Sequence, residues 1–278
     1  MTESYAIVTN DLTKNFGSVH AVNKLNLKIP FGKTYGLLGP NGAGKTTTVR
    51  MLNAIISKTS GKASVGGYDL LTQNEDIRRI CGFLPESPGL YSKLSAKEFL
   101  EFIGELYYLP KDVISERIDE LLELFELQGR ENDLLEGYSR GMKQKVCICA
   151  ALIQDPEIIF LDEPTSNLDP AAARMVKNLI SELAKKAEKT VFICTHLLDS
   201  AEQLCDIIGI IVNGELKMEG TPRELIESVN AKDLEDAYLK ITGASHIDDL
   251  LAWREETSFE INDSIKPKKK KKDKKKSR

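Results

Sequence analysis

The sequence predicts an α/β fold: a core of short buried strands and helices, an antiparallel β subdomain beside it, and an α-helical subdomain inserted into it. Three observations predict this. Thr34–Leu38, Ile158–Leu161 and Val191–Thr195 are near-continuous apolar runs of strand length, the pattern of strands buried on both faces. Residues 5–31 alternate apolar and polar side chains, as half-buried antiparallel strands do. Residues 88–137 instead carry apolar residues at helical spacing.

The first core strand runs into Gly39-Pro-Asn-Gly-Ala-Gly-Lys-Thr-Thr47, which matches G-x-x-x-x-G-K-[ST] at Gly39, Gly44, Lys45 and Thr46. Glycines let such a loop curl so that several backbone N–H groups face one anion. A helix over 47–53 would aim its positive end at the same point. The core is therefore read as a P-loop NTPase core. Gly39, Pro40, Asn41, Gly42, Ala43, Gly44, Lys45, Thr46 and Thr47 become candidate nucleotide-binding residues. Lys45 would lie near the β- and γ-phosphates, and the Thr46 hydroxyl would ligate Mg²⁺.

In the insertion, Ser95-Ala-Lys-Glu98 is a capping box, with Phe99, Phe102, Ile103 and Leu106 at helical spacing behind it. Ile114, Ile118, Leu121, Leu122 and Phe125 form a second stripe. Further on, the run Ile158–Leu161 ends in Asp162-Glu163, and ligands of parallel sheets bind beyond the carboxyl ends of the strands. Asp162 is thus placed to hold Mg²⁺, directly or through water. Glu163 is placed to orient an attacking water and take its proton. Asp169-Pro170 suits a helix start over 171–186, and His196 follows the strand Val191–Thr195. Ile207–Val212 and Glu215–Glu219 flank Asn213-Gly214, a hairpin with a type I′ turn.

Between the two phosphate motifs lies Tyr138-Ser-Arg-Gly-Met-Lys-Gln144, with Ser139 placed 23 residues before Asp162. This stretch resembles the signature sequence of ATP-binding cassette (ABC) transporter ATPases, usually Leu-Ser-Gly-Gly-Gln or a Met-Lys-Gln variant. The resemblance runs from about Tyr5 to Gly243, and the drug- and sodium-exporter branch is the one most similar. It implies a cofactor pair of ATP and Mg²⁺, and two subunits closing head-to-tail around two ATP molecules. Ser139, Gly141 and the start of their helix would touch the γ-phosphate held by the other subunit, with Arg140 between them. It also implies that Phe16 stacks on adenine, unless it is simply a surface or core Phe. Glu86 stands where most relatives have a glutamine that contacts Mg²⁺. Asp169 is either an interface residue, a helix cap, or both, and His196 is the switch histidine at the γ-phosphate. Two departures from the pattern are Arg140 for the second signature glycine and Tyr138 for its leading Leu.

Composition bounds the rest. At 278 residues and 41% hydrophobic content, one sizeable α/β core with a small added subdomain is expected. The resemblance places the ATP-binding domain over 5–243, with 88–137 inserted. No apolar run nears the roughly 20 residues of a membrane-spanning helix, and Met1–Tyr5 is polar rather than a signal peptide. The resemblance then implies an ATPase that powers export through a separate integral membrane permease, acting as a homodimer or a heterodimer with a related ATPase, cytoplasmic and peripheral on the cell membrane. The five cysteines match no zinc or redox spacing. Residues 244–265 form a C-terminal extension. Lys266–Arg278 carries ten basic residues against Asp273, a net +9 that leaves −13 on the rest of a chain whose total is −4. Such a block does not fold alone. It is a solvated disordered tail, or one drawn to an anionic lipid surface; nucleic-acid contact is set aside. The competing function is a soluble ABC-type ATPase of translation, repair or assembly. A single cassette without a sustained heptad run argues against it.

Overall fold

The computed structural model describes residues 4–87, 89–166 and 168–243. The elements below belong to one compact unit, Met1–Thr242. The expected extension 244–265 and tail 266–278 lie outside the described residues. In chain order the strands are β1 (Tyr5–Phe16), β2 (Val19–Pro30), β3 (Thr34–Leu38), β4 (Ser60–Val65), β5 (Tyr68–Asp69), β6 (Cys81–Leu84), β7 (Ile158–Asp162), β8 (Thr190–Thr195), β9 (Ile207–Val212) and β10 (Glu215–Gly220). The helices are α1 (Lys45–Leu52), α2 (Asn74–Ile80), α3 (Ala96–Leu106), α4 (Lys111–Leu124), α5 (Arg140–Leu152), α6 (Pro170–Lys185), α7 (Leu198–Leu204), α8 (Pro222–Ser228) and α9 (Leu234–Thr242).

The alternating N-terminal segment forms an antiparallel sheet of order β2-β1-β4-β5. The continuous apolar runs form a second sheet of order β10-β9-β3-β8-β7-β6, parallel except for β10. Every residue of β3, β7 and β8 is buried, which is why their sequences do not alternate. Successive side chains nevertheless serve opposite faces. Phe160 and Phe192 pack with Ile7, Leu25 and Leu27 between the sheets. Ile159, Leu161, Val191 and Ile193 pack on the other face with Val146 of α5 and Val176 of α6. All five cysteines are buried, free thiols. Burial pushes Cys147 and Cys205 up to about 12, so neither is a thiolate near neutral pH.

The insertion is less helical than its spacing suggests. It holds α3 and α4, while 125–139 is irregular apart from a 3₁₀ turn at Leu135–Gly137. The stripe of α4 is buried at Ile114, Ile118 and Leu122, with Phe125 closing it. The stripe of α3 forms on a helix as its spacing predicts but is only partly buried. The buried set is Ala96, Phe99, Leu100 and Gly104, whereas Phe102 and Leu106 are exposed. Gly104 is why: Ile114 of α4 packs where a side chain would stand, so the contact face centres there. Both hairpin turn residues have positive φ, 51° at Asn213 and 80° at Gly214.

The capping box forms in both directions: Glu98 N–H donates to Ser95 Oγ (3.2 Å) and Ser95 N–H to Glu98 Oε2 (2.8 Å). Ser95→Ala should therefore lower stability by about 1 kcal/mol. A urea titration would read this as a lower midpoint with an unchanged slope; an unmoved midpoint would show that the cap contributes nothing to α3.

Candidate active site

Four parallel strands deliver the site. Gly39 follows β3, Glu86 comes two residues after β6, Glu163 follows β7 and His196 follows β8. Because β8 lies between β3 and β7, their carboxyl ends are neighbours, and β6 flanks β7. The result is a pocket of about 330 Å³ lined by Asn41, Gly42, Gly44, Lys45, Thr46, Thr47, Glu86, Asp162 and Glu163, together with Ala21. Gly44 has φ of 105°, and a Cβ there would lie 2.3 Å from the Ala21 carbonyl oxygen. Only glycine lets the loop pass that close to β2. The Lys45 ammonium is buried and donates to the carbonyls of Gly39 (2.7 Å) and Pro40 (3.2 Å).

The acidic side combines two buried carboxylates, Asp162 and Glu163, with an exposed one, Glu86. Asp162 is 1% exposed, and its Oδ2 is buried without a hydrogen-bond partner. Burial raises its pKa above the ordinary carboxylate value. A hydrogen bond with the Thr46 hydroxyl pulls it back, while the charges of Glu86 and Glu163 push it further up. Glu163 is buried too and takes a left-handed backbone (φ 53°). Its Oε1 accepts from His196 N–H (3.1 Å) and lies 2.7 Å from His196 Nδ1. Oxygen donors with one orphaned carboxylate atom suit a hard cation such as Mg²⁺. Among the described residues no cluster of three His, Cys, Asp or Glu could cage a metal alone, so phosphate and water oxygens would complete the shell.

Other expected residues stand apart from this pocket. Ser139 caps α5, accepting from Met142 N–H (3.2 Å), and is exposed beside Arg140. Gly141 is in the first turn of α5. Asp169 caps α6 through Ala171 and Ala172 N–H (both 2.9 Å), so the capping alternative is realised. Phe16 is 51% exposed at the end of β1, with the Lys14 ammonium 4.9 Å from its ring centroid. Sequence reasoning passed over three residues here: Ala21, Thr195 (whose hydroxyl meets Glu163) and Gln144 (whose amide donates to the Pro164 carbonyl, 3.3 Å). Their contacts are long-range, although Gln144 itself closes the signature stretch. Separately, a cleft of about 600 Å³ opens between the core and the insertion, lined by Ile55, Phe83, Pro85, Phe99, Ile103 and Tyr108.

A protein-family model described as ABC transporter matches residues 22–166, more than half of the chain. The chain belongs to the ABC transporter family. It is 41% identical to the bacitracin transport ATP-binding protein BcrA of Bacillus licheniformis, over 84% of this chain and 74% of that protein. It is 36% identical to the ABC transporter ATP-binding protein NatA of Bacillus subtilis, over 80% and 90% of the two chains. Among solved structures, the dimeric post-hydrolysis state of the ATP-binding cassette MJ0796, bound to ADP and Pi, superposes with a TM-score of 0.72. That match is at 27% identity and covers 77% of this chain and 98% of that one. This ABC subunit is an ATPase that uses ATP and Mg²⁺. Among its described residues no helix is long and apolar enough to cross a membrane.

The electrostatics make a prediction for the nucleotide-free subunit. Asp162 has a folded-state pKa above its unfolded one, so the folded chain binds this proton more tightly. The stabilising contribution is full below the unfolded pKa and is lost as pH rises through the folded value. At neutral pH the buried carboxylate is thus a net cost, and Asp162→Asn should raise the urea midpoint of the nucleotide-free protein. Thermal shift on adding MgATP should shrink in the same variant. An Asn variant no more stable than the parent at pH 7 would contradict the assigned cause.

Proposed function

We propose that this ATPase powers export across a membrane, by ATP-driven head-to-tail closure of two cassettes that rock a separate membrane permease. One observation carries the dimer: the phosphate pocket gathers Lys45, Thr46, Asp162 and Glu163, while Ser139 and Gly141 sit at the exposed tip of α5, outside its lining. A second chain, identical or a related ATPase, would bring its own α5 tip over the triphosphate and add helix-end positive charge. The loop 39–47 would cradle the phosphates, Phe16 would stack on adenine, and Asp169 would lie near the facing subunit. Thr46, Asp162 and Glu86 would hold Mg²⁺, which when bound offsets charge on the β- and γ-phosphates.

Hydrolysis then needs a base for the attacking water. Glu163 sits beyond β7 with His196 Nδ1 against its carboxylate, so His196 would steady the base and reach the γ-phosphate with its other nitrogen. The Glu163→Gln variant should keep ATP affinity, lose hydrolysis by at least about a hundredfold, and elute as a dimer with MgATP in size-exclusion chromatography. Parental turnover would remove Glu163 as the base, and a monomer at saturating MgATP would remove the closure stroke.

Export by this chain is supported by the transport names of its relatives and by the cleft beside the insertion. Leu106 and Tyr108, 58% and 93% exposed, offer apolar surface there for a permease segment. The subunit would then be peripheral on the cytoplasmic face. Lys266–Arg278, at net +9, would add attraction to anionic headgroups of about 1 kcal/mol per basic residue close to the surface. An integral membrane protein should co-purify from solubilised membranes with both the full chain and a chain ending at residue 265. Salt-sensitive flotation with phosphatidylserine vesicles should be lost only in the shorter one. Absence of a membrane partner would sink the transport role, and unchanged flotation would sink the lipid role.

A further inference from the structure

We propose that Thr195 is a positioning residue for ATP hydrolysis: its hydroxyl fixes the plane of the Glu163 carboxylate. The inference rests on the reading of Glu163 as general base. Glu163 is the first residue beyond β7, and its backbone is already tied down, since its N–H donates to the Cys194 carbonyl (2.9 Å). Its carboxylate is gripped at both oxygens by the next two residues of that neighbouring chain segment. Oε1 takes the His196 N–H and faces Nδ1, while Oε2 accepts from the Thr195 hydroxyl at 3.1 Å.

The second grip matters because a carboxylate turns easily about its last torsion, whose energy profile is broad. Held at Oε1 alone, the carboxylate could swing Oε2 and its lone pairs away from a fixed water. The hydroxyl has one proton to give. Leu197 N–H donates to the same oxygen (3.1 Å), which occupies a lone pair and leaves that proton for Oε2. Thr195 is 2% exposed, so bulk water does not stand in for it. Its methyl group sits at the end of an apolar strand, where valine has the same shape.

Steady-state ATPase kinetics on the full chain test this, with urea midpoints and ATP affinity measured alongside. Thr195→Val should lower kcat roughly ten- to a hundredfold, with KM and ATP affinity within about twofold. Thr195→Ser, which keeps the hydroxyl, should restore most of the rate. In a Glu163→Gln background, Thr195→Val should lower the residual rate no further. A Val variant at parental kcat overturns the proposal, as does a Ser variant as slow as Val. So does the same fractional loss in the Glu163→Gln background, which would mean that Thr195 acts elsewhere. If the Val variant does not fold, Thr195→Ala is judged by the same three criteria. Glu163→Gln at the parental rate would instead overturn the general-base reading itself, whatever Thr195 does.

Discussion

The site depends on three parallel strands ending level. Leu38 pairs with Thr195, and Asp162 with Cys194, so the residues that follow, Gly39, His196 and Glu163, emerge on one edge of the sheet. A slip of one residue would turn Asp162 to the opposite face and separate Glu163 from its donors. An aromatic row pins the register. Tyr35, Phe192 and Phe160 occupy partnered positions on β3, β8 and β7, with ring centroids 5.2 and 5.5 Å apart. Each such pair adds about 0.5–1.5 kcal/mol beyond its buried area. Core packing between the sheets therefore sets the alignment that the chemistry uses at the strand ends.

The same burial creates the electrostatic tension of the site. A carboxylate at 1% exposure is unfavourable unless paired, and Asp162 has one oxygen without a partner. The nearby ammonium of Lys45 hydrogen-bonds carbonyls of its own loop. Both groups are thus held in arrangements that a metal–triphosphate can improve: the cation would meet the orphaned oxygen, and the phosphates would draw the ammonium from the carbonyls. The cost of burying a half-paired carboxylate would thus be offset on binding a metal–triphosphate.

What was legible in the sequence was local. The Gly44-Lys45-Thr46 loop, the Ser95–Glu98 box, the Asp169-Pro170 cap and the Asn213-Gly214 turn each act over a few residues, and each has the predicted local structure. Continuous apolar runs announced β3, β7 and β8 because both faces of those strands are covered. What stayed hidden depends on partners far along the chain. Ala21 lines the pocket only because β2 crosses behind Gly44, and Thr195 matters only because β8 pairs with β7. The helical periodicity of Phe102 and Leu106 was real, yet periodicity cannot tell a buried stripe from an exposed apolar one. Helix α8 carried its own box at Thr221 and Glu224 and could have been read.

On the proposed reading, the position of α5 explains why one chain would present two half-sites rather than a whole one. Its N-terminal tip, with Ser139, is exposed, but one turn further in Gln144 is buried and donates to the carbonyl of Pro164, directly after Glu163. One end of α5 thus faces outward while its first turns are fastened to the segment that carries Glu163. On the proposed reading, a phosphate captured at the tip by closure of the two subunits pulls on the element that borders the chain's own Glu163. The hydroxyl, imidazole and backbone donors of residues 195 and 196 hold that carboxylate from the other side. On that reading, a rigid displacement of α5 would reach Glu163 through the Gln144–Pro164 hydrogen bond. Such a link would let each pocket sense whether the opposite one is filled.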